Sequence, residues 1–211
     1  MKIVCLSDTH MEHEQIAVPD GDVLIHAGDS TYRGTVPELV RVNAWLGSLP
    51  HRYKIIIAGN HDWLFESDPS LAESLMTNAI YLRDSAVKIA GVKFYGAPWQ
   101  PWFMDWAFNL QRGAEIKRKW DLIPTDTDVL ITHGPPQGIL DIVPDYRTGL
   151  DINVGCEELA PAIARVKPKL HIFGHIHEGY GQLERDGATY INAANCDAQY
   201  NPVDPPISVV I

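Results

Sequence analysis

Apolar runs rich in β-branched residues recur along the chain, and each breaks off at a polar or glycine-containing turn. The clearest cover 2–7, 22–27, 53–58, 87–90, 92–95, 128–132, 169–173, 188–192 and 207–211. Runs of this length predict strands. Several lack apolar/polar alternation, which predicts burial on both faces. Between 35 and 49, Val36, Leu39, Val40, Trp45, Leu46 and Leu49 recur at helical spacing, and Thr35-Val36-Pro37-Glu38 supplies a capping box with an early proline. Weaker helical patterns cover 69–76 and 155–166. Gly91, between two short apolar runs, predicts a tight hairpin. Strands alternate with helices in the first half and with hairpins in the second, so the expected class is α/β. No repeat, linker or low-complexity tract interrupts the pattern, and 1–211 reads as a single domain.

The polar residues matter by position. Five apolar strands end in side chains suited to hold a metal. Ile3–Ser7 runs into Asp8-Thr9-His10, and Val23–Ala27 into Gly28-Asp29. Ile55–Ala58 runs into Gly59-Asn60-His61-Asp62, Val129–Thr132 into His133-Gly134, and Leu170–Phe173 into Gly174-His175-Ile176-His177. Ligands of open α/β sheets bind outside the carboxyl ends of the strands. One crevice there would gather imidazole, carboxylate and amide oxygen, a mixture suited to manganese, iron or zinc rather than to a cysteine-rich structural site. Gly28, Gly59, Gly134 and Gly174 would permit sharp turns and close backbone approach. An isolated Asp-x-His or His-x-His is weak evidence, but five such ends in order are specific.

Composition removes several alternatives. The chain is 45% hydrophobic and 21% charged, with a net charge of -10. An acidic chain without a Lys/Arg cluster is a poor partner for a membrane surface or long nucleic acid. Cys5, Cys156 and Cys196 are widely spaced, odd in number and outside any CxxC pair, as expected of buried free thiols in a reducing compartment. No targeting segment or membrane-spanning stretch is visible, so the expected location is cytoplasmic.

The five blocks resemble the calcineurin-like metallophosphoesterase superfamily, whose pattern is D-x-H, G-D, G-N-H-[DE], H and G-H-x-H. The resemblance runs from Asp8 to His177. Gly96–Trp102, Asp105–Asn109, Thr132–Pro136 and the tail around Asn192-Ala193 and Pro205-Pro206-Ile207 are similar to the metallophosphoesterase-domain-containing, brain-protein-like branch. One member of that branch carries Gly in place of the first His of G-H-x-H; His175 is intact here. The resemblance implies a four-layer αββα sandwich of two mixed β-sheets flanked by helices, with a dinuclear metal site at the strand C-terminal ends. It implies Asp8, His10, Asp29 and His177 on the first ion, and Asp29, Asn60, His133 and His175 on the second, with Asp29 bridging. Manganese is the first expectation for both ions, with iron, zinc, cobalt or nickel as alternatives. The G-D block continues as Ser30-Thr31-Tyr32, without the acidic residue that many relatives place nearby.

The implied activity is phosphoester hydrolysis, foremost of small phosphodiesters such as nucleotides, cyclic ones included. The nucleophile would be a hydroxide held between ions about 3.5–4 Å apart. A phosphomonoesterase, a nuclease, or a metal- and nucleotide-binding scaffold with vestigial activity are the alternatives. A homodimer is left open. His61 is not needed as a ligand, and in the family its counterpart sits by the leaving-group oxygen, so it is the expected catalytic proton donor. His26 and His171, inside apolar strands, read as core or supporting groups, and His13 and His51 as surface residues. The segment 97–109 carries Trp99, Trp102 and Trp106 with little periodicity and reads as a rigid loop or a wall of the site. Its aromatics are expected first to pack, with base stacking by Trp99 or Trp102 as the alternative.

Overall fold

The computed structural model describes residues 1–145 and 147–211. The expected strands are present. β1 (Lys2–Leu6) and β2 (Val23–His26) precede α1 (Val36–Ser48), then β3 (Tyr53–Ile56), the short α2 (Leu64–Ser67), α3 (Pro69–Leu75) and β4 (Ile80–Tyr81). β5 (Ser85–Ile89) and β6 (Val92–Ala97) form the hairpin, in which Ile89 pairs with Val92 across Ala90 and Gly91, both at positive φ. A small ribbon of β7 (Gln100–Pro101) and β8 (Asn109–Leu110) precedes α4 (Ala114–Trp120) and β9 (Val129–Thr132). A second ribbon joins β10 (Ile142–Pro144) to β11 (Asp151–Asn153). α5 (Leu159–Val166), β12 (Leu170–Phe173), β13 (Gly181–Arg185), β14 (Ala188–Asn192) and β15 (Ile207–Val210) complete the order.

The strands build two mixed sheets, ordered β15-β1-β2-β3-β4 and β13-β14-β12-β9-β6-β5. β1 to β4 run parallel to one another, as do β14, β12, β9 and β6. Edge strands β15, β13 and β5 are antiparallel. Side-chain period 2 then sorts the layers. Ile3, Cys5, Val23 and Ile25 face Val129, Ile131, Leu170 and Ile172 in one buried cluster between the sheets. The intervening Val4, Leu6, Leu24 and Ile56 pack against Leu39, Val42 and Leu46 of α1, and Leu130 and Phe173 join Ile116 and Trp120 of α4 and Leu159 of α5. Helix, sheet, sheet and helix therefore stack as four layers. A one-residue slip of β2 would turn buried His26 into the inter-sheet layer, so the register is strongly specified.

α1 keeps its capping box, with the Glu38 N–H donating to Thr35 Oγ1 and the Thr35 N–H to Glu38. Its buried stripe is Leu39, Val42 and Leu46, whereas Val36 and Val40, expected on that face, are exposed. His13 and His51 are buried and not surface residues. His13 packs on Trp45 with ring centroids 4.8 Å apart, and the His51 ring donates to the Pro19 carbonyl at 3.0 Å.

β1, β2, β3, β9 and β12 all deliver their carboxyl ends to one edge. A stitch draws the two sheets together there. Ser7 forms a parallel bridge with Ala194, the Asn195 N–H donates to the Ser7 carbonyl at 2.9 Å, and the Ser7 N–H donates to Asn195 Oδ1 at 3.3 Å.

Candidate metal centre

The chain leaves the sheets in strained turns. Asp8, His10, Asp29 and His175 have φ of 53°, 41°, 54° and 68°. Left-handed backbone costs a non-glycine residue about 1–3 kcal/mol and persists only where its surroundings over-determine it. Here the Asp8 N–H donates to the Gly28 carbonyl at 2.9 Å and the His10 N–H to the Asp29 carbonyl at 3.1 Å. Two glycines make room. A Cβ on Gly59 would lie 2.2 Å from Asp29 Oδ1, and one on Gly174 would lie 2.0 Å from Asp8 Oδ2. At Gly134 the nearest atom would be His175 Cδ2 at 3.7 Å, an ordinary contact, so that glycine is not required for space.

All eight expected residues meet at this edge. Asp8 Oδ1 is 3.5 Å from His177 Nε2 and 3.9 Å from His10 Nε2. Asp29 Oδ2 is 3.4 Å from His133 Nε2 and 4.0 Å from both His10 Nε2 and His61 Nε2. Asn60 Oδ1 lies 2.9 Å from His133 Nε2. Among the described residues, three groups have potential ligand atoms within 4.8 Å of one another: Asp8, His10 and His177; His10, Asp29 and His61; and Asp29, His133 and His175. The first and third share no residue, and taking them as two centres leaves His61 outside both. Asp29 reaches toward each through His10 and His133.

The far ring nitrogens fix the orientation. His133 Nδ1 donates to the Ala27 carbonyl at 3.0 Å, His177 Nδ1 to the Asp197 carbonyl at 2.8 Å, and His61 Nδ1 to the Tyr32 carbonyl at 2.8 Å. With Nδ1 donating to a carbonyl, Nε2 of each ring points inward, where it can carry a proton or hold an ion. A cation fits what remains. Asp8 Oδ1 is fully buried with no hydrogen-bond partner. His10 Nε2 and His177 Nε2 face each other at 3.3 Å, and His133 Nε2 faces the Asn60 carbonyl oxygen. Acceptors converge here, and only a proton or a metal ion reconciles them.

Charge follows the same logic. Burial pushes His133 and His177 down, but the facing carboxylates of Asp29 and Asp8 overturn this and raise both to about 9. Burial likewise pushes Asp8 and Asp29 up, and the imidazoles facing them bring both well below the usual carboxylate range. His10 and His175 are driven down by burial, to about 4 and about 3.

One supporting residue passed as only the last letter of its motif. The Asp62 carboxylate accepts from the Gly59 N–H at 2.8 Å, the Thr31 N–H and Oγ1 at 3.0 and 2.7 Å, and Ser30 Oγ at 3.1 Å. It clamps the loop carrying Asp29 to the loop carrying Asn60 and His61. Ser30 and Thr31 thus have a role as its donors. His26 and His171 are core groups, bonded to Thr9 Oγ1 at 3.0 Å and Thr132 Oγ1 at 2.8 Å. Trp99 is buried, with Nε1 donating to Asp84, so it is no stacking platform; Trp102 and Phe103 are exposed, and Trp106 stacks on His61. Tyr32 and Tyr200, absent from every motif, also border the centre. The Tyr200 ring lies 4.5 Å from His10.

The chain is similar to known proteins. The chain is 48% identical to metallophosphoesterase domain-containing protein 1 of Homo sapiens, over 99% of this chain and 70% of that one. It is 40% identical to a UPF0046 protein of Caenorhabditis elegans, over 93% and 70% of the two chains. A crystal structure at 15% identity has a TM-score of 0.66 over 90% of this chain and 89% of that one, which speaks to the fold. The family model described as calcineurin-like phosphoesterase matches residues 1–179. With that match and the near full-length likeness to metallophosphoesterase domain-containing protein 1, the chain belongs to the calcineurin-like phosphoesterase family.

Proposed function

We propose that this protein is a two-metal phosphodiesterase of small diesters, nucleotides among them, built as one domain over residues 1–211. Asp8, His10, Asp29 and His177 hold one ion, and Asp29, Asn60, His133 and His175 hold the other, manganese being the expected metal. When bound, the ions supply an activated water and neutralise phosphate charge. Asp29 suits the shared position because its Oδ2 reaches histidines of both groups, while Oδ1 is held by the His61 N–H at 2.8 Å. His61 presents Nε2 to the cleft with Nδ1 tied to the Tyr32 carbonyl, and a second ring proton, carried on Nε2, passes to the departing oxygen and leaves the neutral ring.

The observation that carries the diester reading is the charge of the cleft. Among the described residues that line it there is no Lys or Arg, and Glu178 adds an anion. A phosphomonoester brings two negative charges and a diester one, so the diester suits a cleft in which no side-chain cation would add to the charge of the two ions. Cys5, Cys156 and Cys196 are buried and unpaired, in keeping with a reducing cytoplasmic setting. Among the described residues, no helix is long and apolar enough to cross a membrane. The test is turnover by manganese-loaded protein of bis(4-nitrophenyl) phosphate, cyclic nucleotides and 4-nitrophenyl phosphate. The expected result is a kcat/KM at least about ten-fold higher on a diester than on the monoester, a difference of about 1.4 kcal/mol. A monoester preference would overturn the diester reading, and no turnover of any ester would overturn the enzyme reading.

A further inference from the structure

The cleft does not end at the metal ligands. At its His61 end it shares His61, Trp106 and Tyr200 with a cavity of about 510 Å³ that Tyr32, Trp63 and Arg33 complete. At its His175 end it shares Phe103, His175 and Glu178 with a separate cavity of about 330 Å³, walled by Trp102 and Arg112 among others. The two cavities have no lining residue in common. The first takes Tyr32 and Arg33 from the loop after β2, His61 and Trp63 from the loop after β3, Trp106 from the β7–β8 loop and Tyr200 from the segment after β14. The second joins Trp102 and Phe103 of that same β7–β8 loop to Gly134 and Pro135 after β9 and to His175 and Glu178 after β12.

The His61 cavity is a cage of rings. Tyr32 and Tyr200 meet edge to face at 5.3 Å and 85°, Trp106 lies flat on His61 at 4.3 Å and 28°, and Tyr200 stands edge-on to His61 at 5.8 Å. Tyr200 is held at a φ of 63°, and Tyr32 leaves 40% of its surface exposed toward solvent. An exposed Tyr32 and half-buried Trp106 and Tyr200 arranged in this way suit a flat guest with a π face. The His175 cavity is more mixed. Trp102 and Phe103 are more than half exposed, and the Arg112 guanidinium is fixed by the Gly155 and Val154 carbonyls at 2.9 and 2.8 Å.

We propose that these cavities bind the two arms of one diester: the leaving group, carrying a planar ring, lies in the Tyr32–Trp106–Tyr200 cage, and the retained group lies against Trp102 and Phe103. The assignment rests on the phosphodiesterase reading, and His61 decides its direction. In hydrolysis a water oxygen bonds to phosphorus as the bond from phosphorus to the leaving oxygen breaks. The leaving oxygen takes a proton, and the proton lost by the water passes to solvent. His61 is the one cleft histidine outside both ligand groups, so the departing oxygen belongs on its side, with its ring in the adjoining cage. His175, at the other end, is committed to the metal group.

Two probes with the same leaving group test this. Methyl 4-nitrophenyl phosphate retains a methyl group, and bis(4-nitrophenyl) phosphate retains a ring. Tyr32→Ala, which keeps the carbonyl that anchors His61, and Tyr200→Ala should each raise KM on both probes by a similar factor, about three- to ten-fold, as expected for loss of an aromatic contact. Trp102→Ala should raise KM for the bis probe several-fold more than for the methyl probe. The released product, 4-nitrophenol, should quench tryptophan fluorescence saturably in the parent and not in Tyr200→Ala. The assignment is overturned if Tyr32→Ala and Tyr200→Ala affect only the bis probe, or if Trp102→Ala affects both probes equally. If the parent hydrolyses neither probe, the phosphodiesterase reading fails instead. Quenching that persists in Tyr200→Ala would then overturn the cage on its own.

Discussion

Gly59→Ala is the sharpest structural perturbation of the centre, because one methyl group is aimed at the shared carboxylate. The new Cβ would lie 2.2 Å from Asp29 Oδ1, 2.5 Å from the Asp29 backbone nitrogen and 2.6 Å from His133 Cε1. Ordinary contact begins at 3.4 Å, so Asp29 has to retreat by roughly 1 Å. It cannot swing away freely, since its backbone nitrogen is also struck and Oδ1 is held by the His61 N–H. Overpacking of this kind costs about 1–3 kcal/mol of stability, and a displacement of about 1 Å costs on the order of 100-fold in rate. The expected protein is folded, melts at lower temperature, binds less than its full metal complement and has lost at least about 100-fold in kcat/KM. Gly134→Ala is the matched control, because its Cβ would meet nothing closer than 3.7 Å. Its kcat/KM should stay within about three-fold of the parent, less than about 1 kcal/mol. Metal analysis, circular dichroism and steady-state kinetics on the pair decide the matter. A Gly59→Ala protein with two ions per chain and unimpaired turnover would refute the placement of Asp29.

Other expectations follow from the same geometry. His61→Ala should lose about 100-fold or more on a diester with an alkyl leaving group and much less on one releasing 4-nitrophenolate, as a missing general acid requires; equal losses would remove the acid role. In metal-free protein at pH 7.5 the raised His133 and His177 retain protons that an ion must displace, so metal loading should release about two protons per chain. Calorimetry in buffers of differing ionisation enthalpy reads this directly, and a heat independent of buffer would contradict it. Burial lowers His171 to about 3, so below its unfolded value near 6.5 the unfolded chain takes up a proton that the folded one refuses. Stability present above pH 6.5 is therefore lost as pH falls, by about 1.4 kcal/mol per pH unit from this residue. Urea unfolding of metal-free His171→Gln between pH 6.5 and 4.5 should show an acid slope shallower by that amount; an unchanged slope would mean that His171 is already protonated when folded.

How much could be read from the chain depended on whether a residue's role was local. Asp8, Asp29, Asn60, His133 and His175 each lie within a few residues of the buried carboxyl end of a strand, so hydrophobic pattern and parallel topology together locate them. The capping box of α1 and the turn at Gly91 are local in the same sense. Val40 was misplaced because an apolar side chain at helical spacing can still face solvent, and α1 buries Val42 instead. α4 went unseen because it follows Gly113 without a side-chain cap and buries only Ile116 and Trp120. β13 is largely exposed and carries no apolar run. Tyr200 reaches the centre only through the Ser7–Ala194 bridge and the turn that follows it, a tertiary juxtaposition with no trace in spacing. His13 and His51 show the reverse error: polar flanking sequence suggested exposure, but rings packed on Trp45 or bonded to the Pro19 carbonyl are buried.

The most direct test of the central claim is a metal titration followed by turnover. Metal-free protein is loaded with manganese while hydrolysis of bis(4-nitrophenyl) phosphate is monitored, alongside the Asp29→Asn variant. A shared-carboxylate, two-ion centre predicts activity that saturates at two ions per chain in the parent, and near-complete loss in Asp29→Asn even at excess metal. Saturation at a single ion, or turnover unaffected by Asp29→Asn, would contradict it.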